Sequence, residues 1–403
     1  MKQKRPIRMT QCTGSHQNIE APWRPTILMS NRVVVRPVAS WRDRRRFQRL
    51  PWSIYDGDHN WVPPILAQER ELLSWGHHPF FDNAEIVTLL AEREGLAVGR
   101  LAVLINHVHN HKYNEQRGFF GFFDCIDDAA VAGGLFEAGQ DWLRKRGMTA
   151  CRGPANPSLN YTCGLLIDGF DCPPCFLMTY NPPYYAALLE TCGFAKAQDL
   201  YAYEMDMNML RVLVERYKPA VLAALNRPDM VIRPINSAMI QQEIETYLDI
   251  YNRSLDGTWG FTPLQPREAR HIASELKHLI VPQFTAFAEI DGQPIGAFFA
   301  LLDYNQILTK LNGRLFPFGV VRLMTGRRKI TAVRAMAMTM VPGHQDAGLS
   351  AVLIDNLTGP AKKWGIQRWE LSWILESNSR SLGSLERVGM KRIKTYRIYD
   401  KIL

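Results

Sequence analysis

No uncharged apolar run in the 403-residue chain reaches the roughly eighteen residues that a spanning helix needs. The N-terminus has no apolar core of the secretory kind, so a cytoplasmic protein is expected. Cysteine is scarce as well. The seven cysteines are odd in number, all precede Gly193 and follow no framework spacing, which argues against a disulfide scaffold and fits reduced thiols. Cys172-Pro-Pro-Cys175 has ligand-like spacing but no second pair, and reads as a turn. His107, His109 and His111 alternate as if on a strand end, with no acidic or cysteine partner evident, so no metal is expected.

Acidic residues are outnumbered. The 48 Lys+Arg against 39 Asp+Glu give +9, a balance that favours anionic partners such as a nucleotide cofactor, lipid headgroups or tRNA without choosing among them. Hydrophobic content of 46% excludes a disordered chain, and the length suits two or three domains. Residues 1–30 are the exception: basic, with three prolines and no hydrophobic period, they read as a disordered tail. Met29, just before the first strand, is an alternative start, so residues 1–28 need not be native. Arg42, Arg44, Arg45, Arg46 and Arg49 crowd the first helix, as a solvated face or a patch for lipid phosphate or RNA.

From Asn31 onward the chain repeats itself. RVVVRPV at 32–38 is echoed by MVIRPIN at 230–236, and AEREGLAVGRLAVLIN at 91–106 by AEIDGQPIGAFFALLD at 288–303. Arg36 and Arg233, Gly95 and Gly292, Gly99 and Gly296, and Asn181 and Asn378 are each 197 apart. A common register over four separated landmarks points to a duplicated α/β domain with a mixed sheet. The boundaries expected are 31–206 for the first copy, 207–229 for a linker helix and 230–403 for the second.

Within the second copy, Thr331 to Val341 alternates as a strand. After Pro342 and Gly343 the apolar residues fall at Leu349, Val352, Leu353 and Leu357, which is helical spacing. A strand, tight loop and helix of this kind aim backbone N–H groups and the positive end of a helix at one point, a ready site for a diphosphate. The run Gln345-x-x-Gly348-x-Ser350 resembles the loop with which GNAT-superfamily acyltransferases hold coenzyme A, although Ser350 stands where Gly or Ala is usual. The ending, Asn378 with a helix running to Gly389-Met-Lys, resembles GNAT enzymes too. The resemblance covers roughly 31–403 and implies two tandem GNAT-like domains with an acyl-CoA co-substrate held by Met340, Val341, His344, Gln345, Ala347, Gly348, Leu349, Ser350 and Asn378. In the first copy the matching connection is Ile126-Asp127-Asp128. Two carboxylates facing a diphosphate at about 5 Å would cost about 1 to 3 kcal/mol per pair, so that copy is expected to lack the cofactor.

The first copy keeps a long insertion, Gly153 to Tyr185, rich in Asn, Tyr, Pro and Gly. Its Asn156, Asn160, Tyr161, Asp168, Tyr180, Asn181, Tyr184 and Tyr185 suit an acceptor pocket against the other copy, or equally a rigid, proline-stiffened connection. This stretch, with GFFGFFD before it, is similar to the YghO-like GNAT proteins and the bacterial ceramide synthases. That likeness implies a long-chain amine acceptor such as a sphingoid base and a fatty acyl thioester donor, on CoA or on an acyl carrier protein. Leu315 to Lys329 mixes bulky apolar residues with Arg322, Arg327, Arg328 and Lys329, the composition of a peripheral membrane contact or of a buried helix with a basic end. Met336, Met338 and Met340 suit a pliable acyl-chain wall or ordinary core.

Attack of an amine on a thioester needs a base, a polarised carbonyl and a proton for the leaving thiolate. The resemblance places backbone N–H near Met340 and Val341. Glu376 is the candidate base, His344 its rival, and Tyr396 the candidate acid. The leading function is thus an N-acyltransferase. The alternatives are a Fem-like aminoacyl-tRNA-dependent transferase, which the loop reading disfavours together with any nucleic-acid partner, and a non-catalytic protein that kept the fold.

Overall fold

The computed structural model describes residues 26–28, 33–344 and 347–403. Strand β1 (Thr26–Leu28) pairs with β2 (Val33–Pro37). The stretch read as a disordered tail therefore contains a strand, while the rest of it and Met29 lie outside the described residues. Helix α1 (Trp41–Ile54) starts at Ser40, whose hydroxyl accepts from Asp43 N–H while the Asp43 carboxylate accepts from Ser40 N–H, a reciprocal cap that satisfies two otherwise unpaired donors. Helix α2 (Leu66–Leu72) follows.

Strands β3 (Ala84–Arg93) and β4 (Leu96–Asn106) meet at Glu94 and Gly95, both with positive φ, as a two-residue hairpin requires. The histidine-rich segment is helix α3 (His107–Tyr113), not a strand end. Asn106 caps it through His109 N–H, and helical spacing sets His109 on the side away from His107 and His111, so that only His109 is buried. Strand β5 (Arg117–Cys125), helix α4 (Ala129–Arg144) and strand β6 (Ala150–Gly153) complete the first core. The insertion holds the short strands β7 (Ala155–Asn156), β8 (Thr162–Cys163) and β9 (Leu165–Asp168), then helix α5 (Tyr185–Thr191). The long strand β10 (Ala195–Asp206) closes this half, and helix α6 (Met207–Leu225) crosses to the next.

The second half opens with β11 (Met230–Pro234), α7 (Ile240–Ser254) and α8 (Pro266–Leu276). Strands β12 (Thr285–Ile290) and β13 (Gln293–Leu302) turn at Asp291-Gly292, again with both φ positive. Short α9 (Asn305–Leu308) and α10 (Gly319–Gly326) lead to the central strand β14 (Ala332–Met340). Helix α11 (Ala347–Trp364), strand β15 (Arg368–Leu375), helix α12 (Ser379–Arg387) and strand β16 (Lys391–Ile402) finish the chain. Asn378 caps α12 by accepting from Ser381 N–H.

One 14-stranded mixed sheet runs through both halves in the order β1-β2-β3-β4-β5-β6-β16-β10-β15-β14-β13-β12-β11, with β9 added beside β16. The last strands are exchanged between the halves. β16 lies against β6 of the first half (Tyr399↔Gly153 to Ile402↔Ala150), and β10 lies against β15 of the second. The two exchanged strands pair with each other antiparallel at the centre. A repeat seen in the sequence does not report such an exchange, because the hydrophobic pattern of a strand is the same whichever half it completes. Each half's core thus depends on the other half's final strand, and the aromatic ends Tyr396 and Tyr399 of β16 are fully buried in it.

Candidate active site

Parallel pairing between β14 and β15 stops early. The two strands are in register only from Ala332↔Arg368 to Ala335↔Leu371, after which β14 stays with β13 and β15 stays with β10. A wedge therefore opens between Met336–Met340 and Ser372–Leu375. Val341 N–H donates to Ile295 O at 2.9 Å on the hairpin side, whereas Met340 N–H points the other way, into the wedge, and donates to Ser254 Oγ at 3.2 Å. Strand alternation turns Met338 N–H the same way as that of Met340. Met338 N–H thus faces the wedge as Met340 N–H does, whereas the Val341 amide, also singled out in the sequence, is turned to the hairpin.

The wedge opens into a cavity of about 950 Å³ between the halves, at the upper end of the range for small-molecule sites. Met336, Met338, Met340, Leu371, Trp373 and Leu375 line one side, and Ser350, Asn378 and Arg380 line it near the starts of α11 and α12. Ser350 Oγ lies 3.9 Å from Met340 Sδ. Val341, His344 and Gly348 border this region in the chain without lining the cavity, and Leu349 is buried beneath α11. Gln345 lies outside the described residues, as does the side chain of Ala347.

At the apex of the wedge stands a polar group that the sequence reading missed. Arg334 is 4% exposed, and its guanidinium donates to Ser372 Oγ (2.9 Å), Ser372 O (3.0 Å), and the carbonyls of Phe176 and Leu177 (both 3.1 Å). Ser372 Oγ in turn donates to Glu370 Oε1 at 2.7 Å. Burial raises the Glu370 carboxyl above its ordinary range against the opposing pull of Ser372 and Arg334. Arg334 and Ser372 line the cavity. A group with a raised carboxyl pKa, linked by one hydroxyl to a cavity, is suited to take a proton. The signal available was a lone arginine inside the apolar strand AVRAMAMTM, opposite a strand carrying Glu370 and Ser372 on one face.

The proposed catalytic residues are placed elsewhere. Glu376 forms an exposed ion pair with Lys196 Nζ at 2.8 Å, which lowers its pKa, and it does not line the cavity; a carboxylate so held is a poor base. Tyr396 is fully buried, its hydroxyl has no hydrogen-bond partner among the described residues, and burial pushes its pKa well above the ordinary value. It does not reach the cavity either. His344 sits in the loop beyond β14.

The insertion is both a lining and a clamp. Asn156, Asn160, Tyr161, Tyr180 and Asn181 line the cavity. Two of them also fix the halves together: Asn160 Nδ2 donates to Thr262 O at 2.7 Å and Tyr161 Oη to Glu268 Oε1 at 2.7 Å, while Tyr180 Oη donates to Asp58 at 2.9 Å within the first half. Tyr184 and Tyr185 fall outside the cavity. Tyr184 Oη donates to Cys125 O at 2.8 Å, and Tyr185, fully buried, donates to Asp124 at 3.2 Å. Asp168 is exposed and paired in register with Thr395. A second buried cluster lines the far side: Arg100 bonds Asp124 (2.7 Å) and Glu69 (2.9 Å), and Tyr55 Oη donates to Asp124 at 2.9 Å.

The matching wedge in the first half is closed. β5 and β6 pair from Arg117↔Ala150 to Phe119↔Arg152, and β7 then fills the opening. A Cβ added to Gly121 would lie 2.0 Å from Ala155 O, so only glycine admits this approach. Asn156 Oδ1 accepts from Phe122 N–H at 2.6 Å. At the start of α4 the Asp128 carboxylate accepts from Ala130 N–H (2.8 Å) and Val131 N–H (3.3 Å) and pairs with Arg93. The amides a diphosphate would need there are already bonded.

This wedge, open in one half and closed in the other on one sheet, marks a tandem GNAT fold. Solved structures agree. The chain is similar to a tandem GNAT protein from the clavulanic acid biosynthesis pathway (TM-score 0.54, 11% identity, 92% of this chain and 98% of that one). It is also similar to a GCN5-related N-acetyltransferase from Sphaerobacter thermophilus (TM-score 0.51, 11% identity, 92% and 95%). Among curated proteins it is 33% identical to Protein YghO of Escherichia coli K12 over 93% of this chain and 97% of that protein. It is 34% identical to the bacterial ceramide synthase of Caulobacter vibrioides over 91% and 97%. The chain belongs to the family that these two proteins represent. No protein-family model matches it. Among the described residues, no helix is long and apolar enough to cross a membrane.

Proposed function

We propose that the protein is an N-acyltransferase that moves a fatty acyl group from a CoA or acyl-carrier thioester to a long-chain amine, with the chemistry in the second-half wedge. The observation that supports this most is the junction of an open β14/β15 wedge, an apolar cavity and the buried Arg334–Ser372–Glu370 relay. The donor's diphosphate lies at the loop and first turn of α11, from His344 to Ser350, and its acyl thioester enters the wedge beside Met338 and Met340. The acceptor's chain lies along the apolar wall toward the insertion. Its amine loses a proton through Ser372 to Glu370, its nitrogen attacks the thioester carbonyl, and Met338 N–H stabilises the developing oxyanion. The C–S bond breaks, the thiolate is protonated through water at the loop side, and Glu370 returns the amine's proton to solvent, so that no net charge is left behind.

The name of the Caulobacter relative favours a sphingoid base as acceptor, and the unbranched, polarisable methionine wall suits a flexible chain. The test is product formation from a long-chain acyl-CoA and a sphingoid amine, followed by mass spectrometry, beside a parallel assay with aminoacyl-tRNA. An N-acyl product from the first mixture supports the reading. RNase-sensitive transfer from the second, or no N-acyl product from the first with either acyl-CoA or an acyl-carrier thioester as donor, refutes it.

A further inference from the structure

We propose that one face of the protein docks on an anionic lipid bilayer, and that this face adjoins the cavity wall. Phe316 (88% exposed), Phe318 (72%), Val320, Val321 and Met324 stand out in solvent within nine residues on and before α10. Only Gly319 and Leu323 of that stretch, with Leu315 just before it, turn inward. The segment of the second half read as either a membrane contact or a buried helix therefore presents its bulky residues to solvent. From Tyr304 to Gln345 the chain contains no acidic residue, while Lys310, Arg314, Arg322, Arg327, Arg328 and Lys329 are basic. An apolar hump whose own segment carries cations and no acid is a poor surface for water and for an ordinary protein partner, which would offer mixed charge. It is complementary to headgroups that are negative above an apolar layer.

A second element extends the same face. On α1, Arg42, Arg45, Arg49 and Trp52 fall at three- and four-residue spacing along one stripe. Trp52 Nε1 donates to Asn312 Oδ1, Arg49 stacks over the Trp52 ring at 4.5 Å, and the charge of Arg314 together with that of Arg45 reaches Arg49. The stripe thus continues into the hump across residues 312–314. Holding these cationic groups together without a carboxylate between them is unfavourable in the free protein and is relieved by an anionic surface.

The cavity lies just behind. Gly313, at φ +75°, sits 2.9 Å by its absent Cβ from the Trp52 ring and 2.8 Å from Pro64 O, and its carbonyl accepts from Leu66 N–H at 3.2 Å. Pro63, Pro64, Ile65 and Leu308 line the cavity. The docking face and one cavity wall share this strap. A chain leaving the bilayer there has a short apolar route inward. The docking does not depend on the acyl-transfer reading, since vesicle binding is measured without substrates.

The test is sedimentation of the full chain with vesicles of phosphatidylcholine alone and with about one third phosphatidylglycerol. Binding to the anionic vesicles, weakened by added salt, is expected. The double variant Phe316→Ser/Phe318→Ser, both side chains being exposed, should bind roughly tenfold more weakly with an unchanged melting transition. Arg45→Gln/Arg49→Gln should lose roughly fivefold per charge, and it carries the test alone if the phenylalanine pair fails to fold. No preference for anionic vesicles, or variants that bind like the parent, overturns the proposal. So does light scattering that shows a dimer dissolved by the Phe316/Phe318 change in a protein that ignores vesicles, because the face would then join two copies.

Discussion

The two halves carry the same strand wedge put to opposite uses. In the second, β14 and β15 part over a cavity, and a buried arginine, serine and glutamate stand at the fork. In the first, the fork is packed with backbone: β7 runs into it, Asn156 takes the Phe122 amide, and Asp128 takes the first amides of α4. At the first fork the donors are satisfied internally, which leaves a ligand little to bond there. The closed half is not idle. Its insertion forms the far wall of the cavity, and its last strand completes the sheet beside β15.

The comparison breaks most severely at Glu370. Glu370→Gln keeps the oxygen that accepts from Ser372 but removes the base, so turnover should fall by about 10²–10⁴ with CoA affinity unchanged in calorimetry. Because burial raises this carboxyl, activity of the parent should climb as pH rises through a value above the usual carboxylate range, and the variant should lack that limb. The same shift has a sign for stability. A native state that holds its proton longer than the unfolded chain loses stability as pH rises past the ordinary carboxylate value, so the variant should be relatively more stable at neutral pH in urea titrations.

A charge placed where the diphosphate would sit comes next. Gly348→Glu should weaken CoA binding by roughly a hundredfold through about two like-charge contacts, whereas Ala130→Glu at the matching turn of α4 should change it less than about twofold. Equal losses would erase the asymmetry between the halves. Asn156→Ala should reopen the closed fork, with a stability loss of about 1–3 kcal/mol in denaturant titrations for a donor left unsatisfied, and no change in CoA affinity. The smallest effect belongs to Glu376→Gln. Its pair with Lys196 is exposed, so stability should move by less than about 1 kcal/mol and turnover should stay within about twofold. A large loss of turnover would return the base to Glu376.

Much of this was legible in the residues. The 197-residue register, the Asp291-Gly292 turn, the strand-to-helix change after Pro342 and the Asn378 cap are local patterns, and local patterns fix local structure. What could not be read was set by distant partners. β10 and β16 look alike in sequence whichever half they complete. Glu376 and Tyr396 carry suitable chemistry, but the neighbours that hold them away from the cavity, Lys196 and the packed core around β16, come from far along the chain. Arg334 was visible as an oddity in an apolar strand, yet its partner Ser372 is placed only by the parallel pairing of β14 with β15.

The central claim is that one wedge binds the donor and the other cannot. Hydrogen exchange with and without CoA tests it most directly. Protection confined to the end of β14 and the first turns of α11, with amides 122–131 unchanged, is the expected pattern. Protection at 122–131, or none at the α11 start, would contradict it.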